Sequence, residues 1–239
     1  MDIMSQLNQK KDLLRYLYTF TFDNGLTKNF EVLVDQATLL LAHNEEEKYP
    51  EWTKLNNFAC PHCPLNKSEN IYCPVAVNLK DIIDFFSDMP SFEIADIKVE
   101  TNNRIFYKKT SVQSGVSGII GIIMPTSGCP ITAKLRPMVK FHLPFASIDE
   151  TEFRVFSMYL FAQYLKQRKG DKPDWEMKDL KKLYDDILLM NQNIARRIAD
   201  LEKKDTSINA VVVLNNFADS VAFSLDEDDL SGLESYFSE

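Results

Sequence analysis

The sequence predicts an α+β fold, a small antiparallel sheet with helices followed by a long helical hairpin. Three observations carry that expectation. Two runs of period-two alternation near the N-terminus flank an Asn-Gly turn. Between them and residue 147 strand-like and helix-like segments are mixed, and the last third shows only helical periods. The division expected is an α+β region at 1–147, a helical region at 148–223 and an acidic tail at 224–239.

In order along the chain, Leu14 to Phe22 reads LRYLYTFTF and Thr27 to Asp35 reads TKNFEVLVD, with Asp23-Asn24-Gly25 between them. That is a β-hairpin signature. Thr38 to Ala42 is a candidate further strand, and His43 to Pro50 reads as a loop. Trp52, Leu55 and Phe58 fall at helical spacing. A helix is expected from Pro74 to Phe86 and a strand from Ile94 to Thr101, while 103–110 fits neither template. Val112, Val116, Ile119, Ile120 and Ile123 share a helix face. Gly115, Gly118 and Gly121 interrupt that helix at a helix-stability cost, which points to close packing or to a ligand along the glycine face.

The back third begins with a helix over Asp149 to Lys169, capped by Ser147 or Asp149 and closed by Gly170, with Phe153, Phe156, Leu160 and Tyr164 on one face. A second helix is expected from Asp174 to Lys204, about 46 Å long at 1.5 Å per residue. Its apolar steps of three and four put Met177, Tyr184, Asn191 and Ile198 at coiled-coil a positions and Leu180, Ile187, Ile194 and Leu201 at d. The short connection Asp171-Lys172-Pro173 favours pairing with the preceding helix, and an overhang would be free for a second copy or a protein partner. After Asp205 a Thr206/Ser207 cap opens a helix with Val213, Phe217 and Val221 on one face.

The chemistry lies in the cysteines. There are four in 239 residues, each followed by proline: Cys60, Cys63, Cys73 and Cys129, spaced C-x2-C-x9-C-x55-C. A C-x-x-C unit sets two sulfurs on one tight turn, and later backbone N–H groups can point back at them. Proline after cysteine gives up an N–H that is not needed there. Cys73 and Cys129 read as residues preceding helices that start at Pro74 and Pro130, where the helix dipole favours a thiolate. The four residues are the expected ligands of a structural Zn2+, with an iron–sulfur cluster as the alternative for the same donors. Four thiolates close the coordination sphere and leave no position for catalysis.

Other readings are weaker. No Ser-His-Asp order, H-E-x-x-H or phosphate-binding glycine motif is present, so a non-enzymatic protein is the expectation, against a redox protein, sensor or enzyme using the same thiols. His142 with Arg136 in TSGCPITAKLRPMVKFHLPF is a second candidate locus, read first as a hydrogen-bonded core histidine. His62, inside the C-x-x-C turn, is expected to face solvent. The net charge is −8, of which −7 belongs to residues 215–239, leaving a nearly neutral body with no footprint for nucleic acid. The acidic end reads as a solvated tail or as a docking segment for a basic partner. No signal-peptide pattern opens the chain, and the apolar run at 118–124 is too short for a bilayer, so a cytoplasmic protein without membrane contact is expected.

The segments ACPHCPL, YCPVAVNL, TSGCPITAKLRPMVKFHLPF and SMYLFAQYL resemble an uncharacterised bacterial family defined only as a domain of unknown function. The resemblance spans most of the chain, rests chiefly on the four Cys-Pro positions, and implies no activity, cofactor or partner.

Overall fold

Alternation along the first strands builds the buried face on which the helices pack. The computed structural model describes residues 13–42, 48–199, 201, 204–227 and 230–237. Strands β1 (Leu13–Phe22) and β2 (Thr27–Asp35) form the expected hairpin. Gly25 takes φ 81°, and its N–H donates to the Phe22 carbonyl at 2.9 Å, which is the conformation that favours glycine there. Strands β3 (Ile94–Thr101) and β4 (Ile105–Ser111) form a second hairpin, which resolves 103–110 as largely strand. The sheet is antiparallel throughout, in the order β2-β1-β3-β4. Tyr16, Tyr18, Phe20 and Phe22 of β1 point to the buried face beside Val32, Val34, Ile97 and Val99. On edge strand β4, Lys108 and Lys109 are exposed, a composition that discourages pairing with another edge.

The strand expected at 38–42 is reduced to one bridge, Val34 to Leu41. The Asp35 carboxylate explains this. It accepts from the Ala37 and Thr38 N–H groups and from the Thr38 hydroxyl, which turns the chain before a ladder can form. The loop expected next lies, over 43–47, outside the described residues.

The short helix α1 (Leu55–Phe58) precedes the cysteines, and α2 (Pro74–Phe86) has the expected bounds. Helix α3 (Val112–Thr126) lies on the sheet. A Cβ on Gly115 would sit 2.6 Å from Phe20 Cε1, and one on Gly118 would sit 2.8 Å from the Tyr18 hydroxyl. Close approach to the sheet therefore accounts for the first two glycines. No helix starts at Pro130. A 3-10 turn at Thr132–Leu135 leads into α4 (Arg136–Lys140) instead. The Thr132 hydroxyl donates to the Met124 carbonyl at 2.7 Å, so the end of α3 sets the path of this segment.

Helix α5 (Ile148–Arg168) opens on a capping box between Ser147 and Glu150. Helix α6 (Lys178–Ile198) begins four residues later than expected. The Asp174 carboxylate accepts from the Asp179 N–H at 2.8 Å and from the Tyr159 hydroxyl at 2.7 Å, so 174–177 serves as a cap. Helix α7 (Thr206–Asp226) and the single turn α8 (Ser231–Glu234) complete the chain.

The long hairpin exists but pairs α6 with α7, and α5 lies across the two. Leu180, Tyr184, Ile187, Asn191, Ile194 and Ile198, the expected seam, are buried within the chain. Both α5 and α6 have 21 residues, so the expected overhang is absent. The buried face of α5 also differs: Phe156 is buried with Val155 and Gln163, while Phe153 and Tyr164 are exposed. Gln163 Oε1 accepts from the Asp174 N–H at 3.0 Å, which fixes the helix rotation. The described part of the acidic end folds back, with Phe237 stacked on Phe153 at 6.3 Å. By length and composition α7 could cross a membrane, and here it packs against α3 and α6.

Gly115→Ala forces a methyl into Phe20 and Ile97 and is expected to cost about 1–3 kcal/mol in urea denaturation. Gly121→Ala, whose Cβ meets only Leu214 at 3.5 Å, is expected to be neutral or stabilising by up to about 1 kcal/mol. Equal effects at the two sites would contradict this packing.

Candidate metal centre

Three of the cysteines sit on one knuckle. The Leu55 N–H donates to the Ile71 carbonyl at 2.9 Å and the Cys73 N–H to the Thr53 carbonyl at 2.9 Å. With the bridge between Lys54 and Tyr72, these bonds clamp residues 53–55 to 71–73. Between them Cys60 and Cys63 occupy a tight turn, in which the Cys63 N–H donates to the Cys60 carbonyl at 3.0 Å. Cys73 immediately precedes α2, and Pro74 takes the first helical position.

Cys129 arrives from the other side. At the end of α3, Gly128 takes φ 97° and turns the chain back. A Cβ on Gly128 would meet the Pro74 Cβ at 3.9 Å, which puts this turn beside the start of α2. The fold thus brings the turn that carries Cys129 to the start of α2, next to Cys73. All four cysteines are free thiols, Cys73 and Cys129 buried and Cys60 and Cys63 half-buried.

The electrostatics show how closely they interact. Burial pushes the Cys60 thiol up to about 12, and charge on Cys73, Cys129 or Cys63 pushes it further. Cys73 is pushed up to about 11, again by burial first, against the Ala76 and Val75 N–H groups, which favour its thiolate. These N–H groups lie two and three residues after the cysteine. Burial thus favours the protonated form of Cys60 and Cys73. A cation beside them reverses the balance, because thiolates are its ligands. Among the described residues no three His, Cys, Asp or Glu side chains stand close enough as placed to hold an ion.

Helix α6 supplies groups that the sequence reading missed. Asn193 Nδ2 donates to the Phe58 carbonyl at 3.4 Å and toward Cys60 Sγ at 3.8 Å. His62 turns toward α6 rather than to solvent. Its Nε2 lies 4.0 Å from Asp186 Oδ1, and neither ring nitrogen has a hydrogen-bond partner among the described residues. Asp186 and Asn193 are seven residues apart, hence on one helix face, and that polar spacing was the available signal.

His142 and Arg136 belong elsewhere. His142 Nε2 pairs with the Tyr18 hydroxyl at 3.0 Å, and its ring meets Tyr16 edge-on at 5.6 Å. Arg136 Nε donates to the Pro125 carbonyl at 3.2 Å. Both tie the 129–145 segment to its surroundings, the core role first read for His142.

A family model for a domain of unknown function, DUF6901, matches residues 16–238. The chain belongs to this family. No curated protein and no solved structure matches it. The DUF6901 match covers the sheet, all four cysteines and the long helices, so the candidate centre lies inside the family's domain.

Burial, and then the Arg154 charge, hold the His142 pKa down at about 3, below the ordinary 6.5. The folded state therefore binds fewer protons than the unfolded chain between those values. Its stability contribution is full above pH 6.5 and is lost as pH falls toward 3. Denaturation midpoints for His142→Gln are expected to depend less on pH than wild type across that window. Parallel profiles would contradict the assignment.

Proposed function

We propose that Cys60, Cys63, Cys73 and Cys129 hold one Zn2+ as a structural centre in a non-enzymatic interaction protein. The observation that carries this is the approach of four free thiols from two distant parts of the chain, with Cys60 under the electrostatic influence of the other three. The donor set fits a closed four-thiolate site. Binding draws the sulfurs inward, with the Val75 and Ala76 N–H groups and Asn193 Nδ2 supporting the negative charge. The ion then ties the knuckle at 53–73 to the end of α3. The same donors would take an iron–sulfur cluster, which is the redox alternative.

With the seam residues from Leu180 to Ile198 buried within the chain, we place the partner contact expected of the 174–204 helix on the outer face of α5 instead. There Phe161, Tyr164 and Leu165 are exposed, and Phe161 stacks on Tyr164 at 6.4 Å. The acidic end lies on the same side through Phe237 and Phe153, so that a basic or amphipathic partner, or a second copy, meets both features.

Zinc at a thousandfold excess over its Kd is expected to stabilise the chain by about 4 kcal/mol over chelator-treated protein. Cys73→Ser is expected to lower the melting temperature and to abolish the response to zinc. A melting temperature and metal content that Cys73→Ser leaves unchanged would overturn the proposal.

A further inference from the structure

A second feature lies apart from the thiols. A half-open cavity of about 260 Å³ lies between the end of β4 and helices α3, α4, α5, α6 and α7. Voids of about 150 Å³ already accept benzene, so this one admits a longer body. Gly118 and Gly121 of α3 open one side, and Ile187, Leu214 and Phe217 supply apolar wall.

Its charge is one-sided. Lys108 and Arg154 line it and no Asp or Glu does, in a chain of net charge −8. Arg154 Nη2 donates to the carbonyls of Met138 and Phe141 at 3.0 and 2.9 Å, which fixes the guanidinium. Glu150 acts on it electrostatically, yet its carboxylate is engaged in the Ser147 cap. Among the described residues no carboxylate forms an ion pair with Arg154. The neighbouring His142 is occupied with Tyr18.

The far end is polar as well. Asn191 lines the cavity and is 2% exposed. Its Oδ1 has no hydrogen-bond partner among the described residues. A buried acceptor left unpaired costs about 1–3 kcal/mol, so the site is built for a donor. On α6, Asn191 stands two turns beyond Tyr184, about 10 Å along the axis. Tyr184 and Arg154 influence each other electrostatically, which puts Arg154 at the Tyr184 end.

We propose that this cavity binds a medium-chain hydroxy acid, its carboxylate on Arg154, its methylene body along Gly118 and Gly121, and its terminal hydroxyl donating to Asn191. A planar guanidinium suits a carboxylate, and apolar walls with a few convergent polar groups are the usual make-up of a small-molecule site.

Calorimetric titration of the full chain with ω-hydroxyoctanoate, octanoate and octanediol tests this. Saturable one-to-one binding of the hydroxy acid is expected, about tenfold weaker for octanoate, which lacks the hydroxyl, and at least about tenfold weaker for octanediol, which lacks the carboxylate. Gly121→Leu, which fills the cavity beside Leu214, is expected to abolish binding while still melting cooperatively, and Arg154→Met to weaken it at least about tenfold. Should Arg154→Met fail to fold, the acid-against-diol comparison on wild type decides the same point. Absence of saturable binding by the hydroxy acid, a diol bound as tightly as the acid, octanoate equal to the hydroxy acid, or Gly121→Leu binding unchanged would each overturn the assignment.

Discussion

The rest of the structure depends on how closely α3 approaches the sheet. This helix is buried on nearly every side, from Val112 through Thr126. Gly115 lets it reach Phe20 and Ile97, and Gly118 lets it reach the Tyr18 hydroxyl. Its other side receives α7, with Leu214 opposite Gly121. Everything beyond α3 inherits its position. The exit at Gly128 delivers Cys129 to the start of α2, and the Thr132 hydroxyl ties the following turn back to Met124. Glycines that weaken an isolated helix are here the means of placing it, and tertiary packing offsets the propensity cost.

The buried tyrosines extend the same logic. Tyr16 gives its hydroxyl proton to the Val139 carbonyl at 2.7 Å, and Tyr18 pairs with His142. Each places an apolar ring in the core and a polar tip on the segment that follows Cys129. Sheet, α3 and the 129–145 segment are thereby fixed to one another before any ion is considered. What these contacts do not balance is the thiol cluster. Cys73 and Cys129 are buried and Cys60 and Cys63 half-buried, and charge on neighbouring cysteines disfavours the thiolates of Cys60 and Cys73. In the proposed centre a cation would turn this arrangement from a cost into a cross-link.

Local patterns were the legible part of the sequence. The first hairpin, the strand at 94–101 and the helix at 74–86 rest on alternation, an Asn-Gly turn and a proline start, all encoded by neighbouring residues. The capping box at Ser147 and the turn at Gly170 were legible for the same reason. The misreadings came where a polar side chain within about fifteen residues overrode local period. Asp35 ended a strand, Asp174 delayed α6, and Gln163 with Tyr159 rotated α5 away from its Phe153–Tyr164 face. The heptad seam of α6 was a true apolar face, but period alone does not name the helix that covers it. At the candidate centre the four cysteines were legible by spacing. The contributions of Asn193 and Asp186 were marked only by their seven-residue spacing on one helix face, which does not say what that face meets.

If one metal ion joins the knuckle to the end of α3, the metal content of the purified protein will show it. Elemental analysis with an absorption spectrum, on tag-free protein purified without oxygen, is expected to give one zinc per chain and no visible band. Protein that carries no metal, and takes up none when refolded with zinc, would contradict the account. Iron with sulfide and a visible band would replace zinc by a cluster on the same four cysteines.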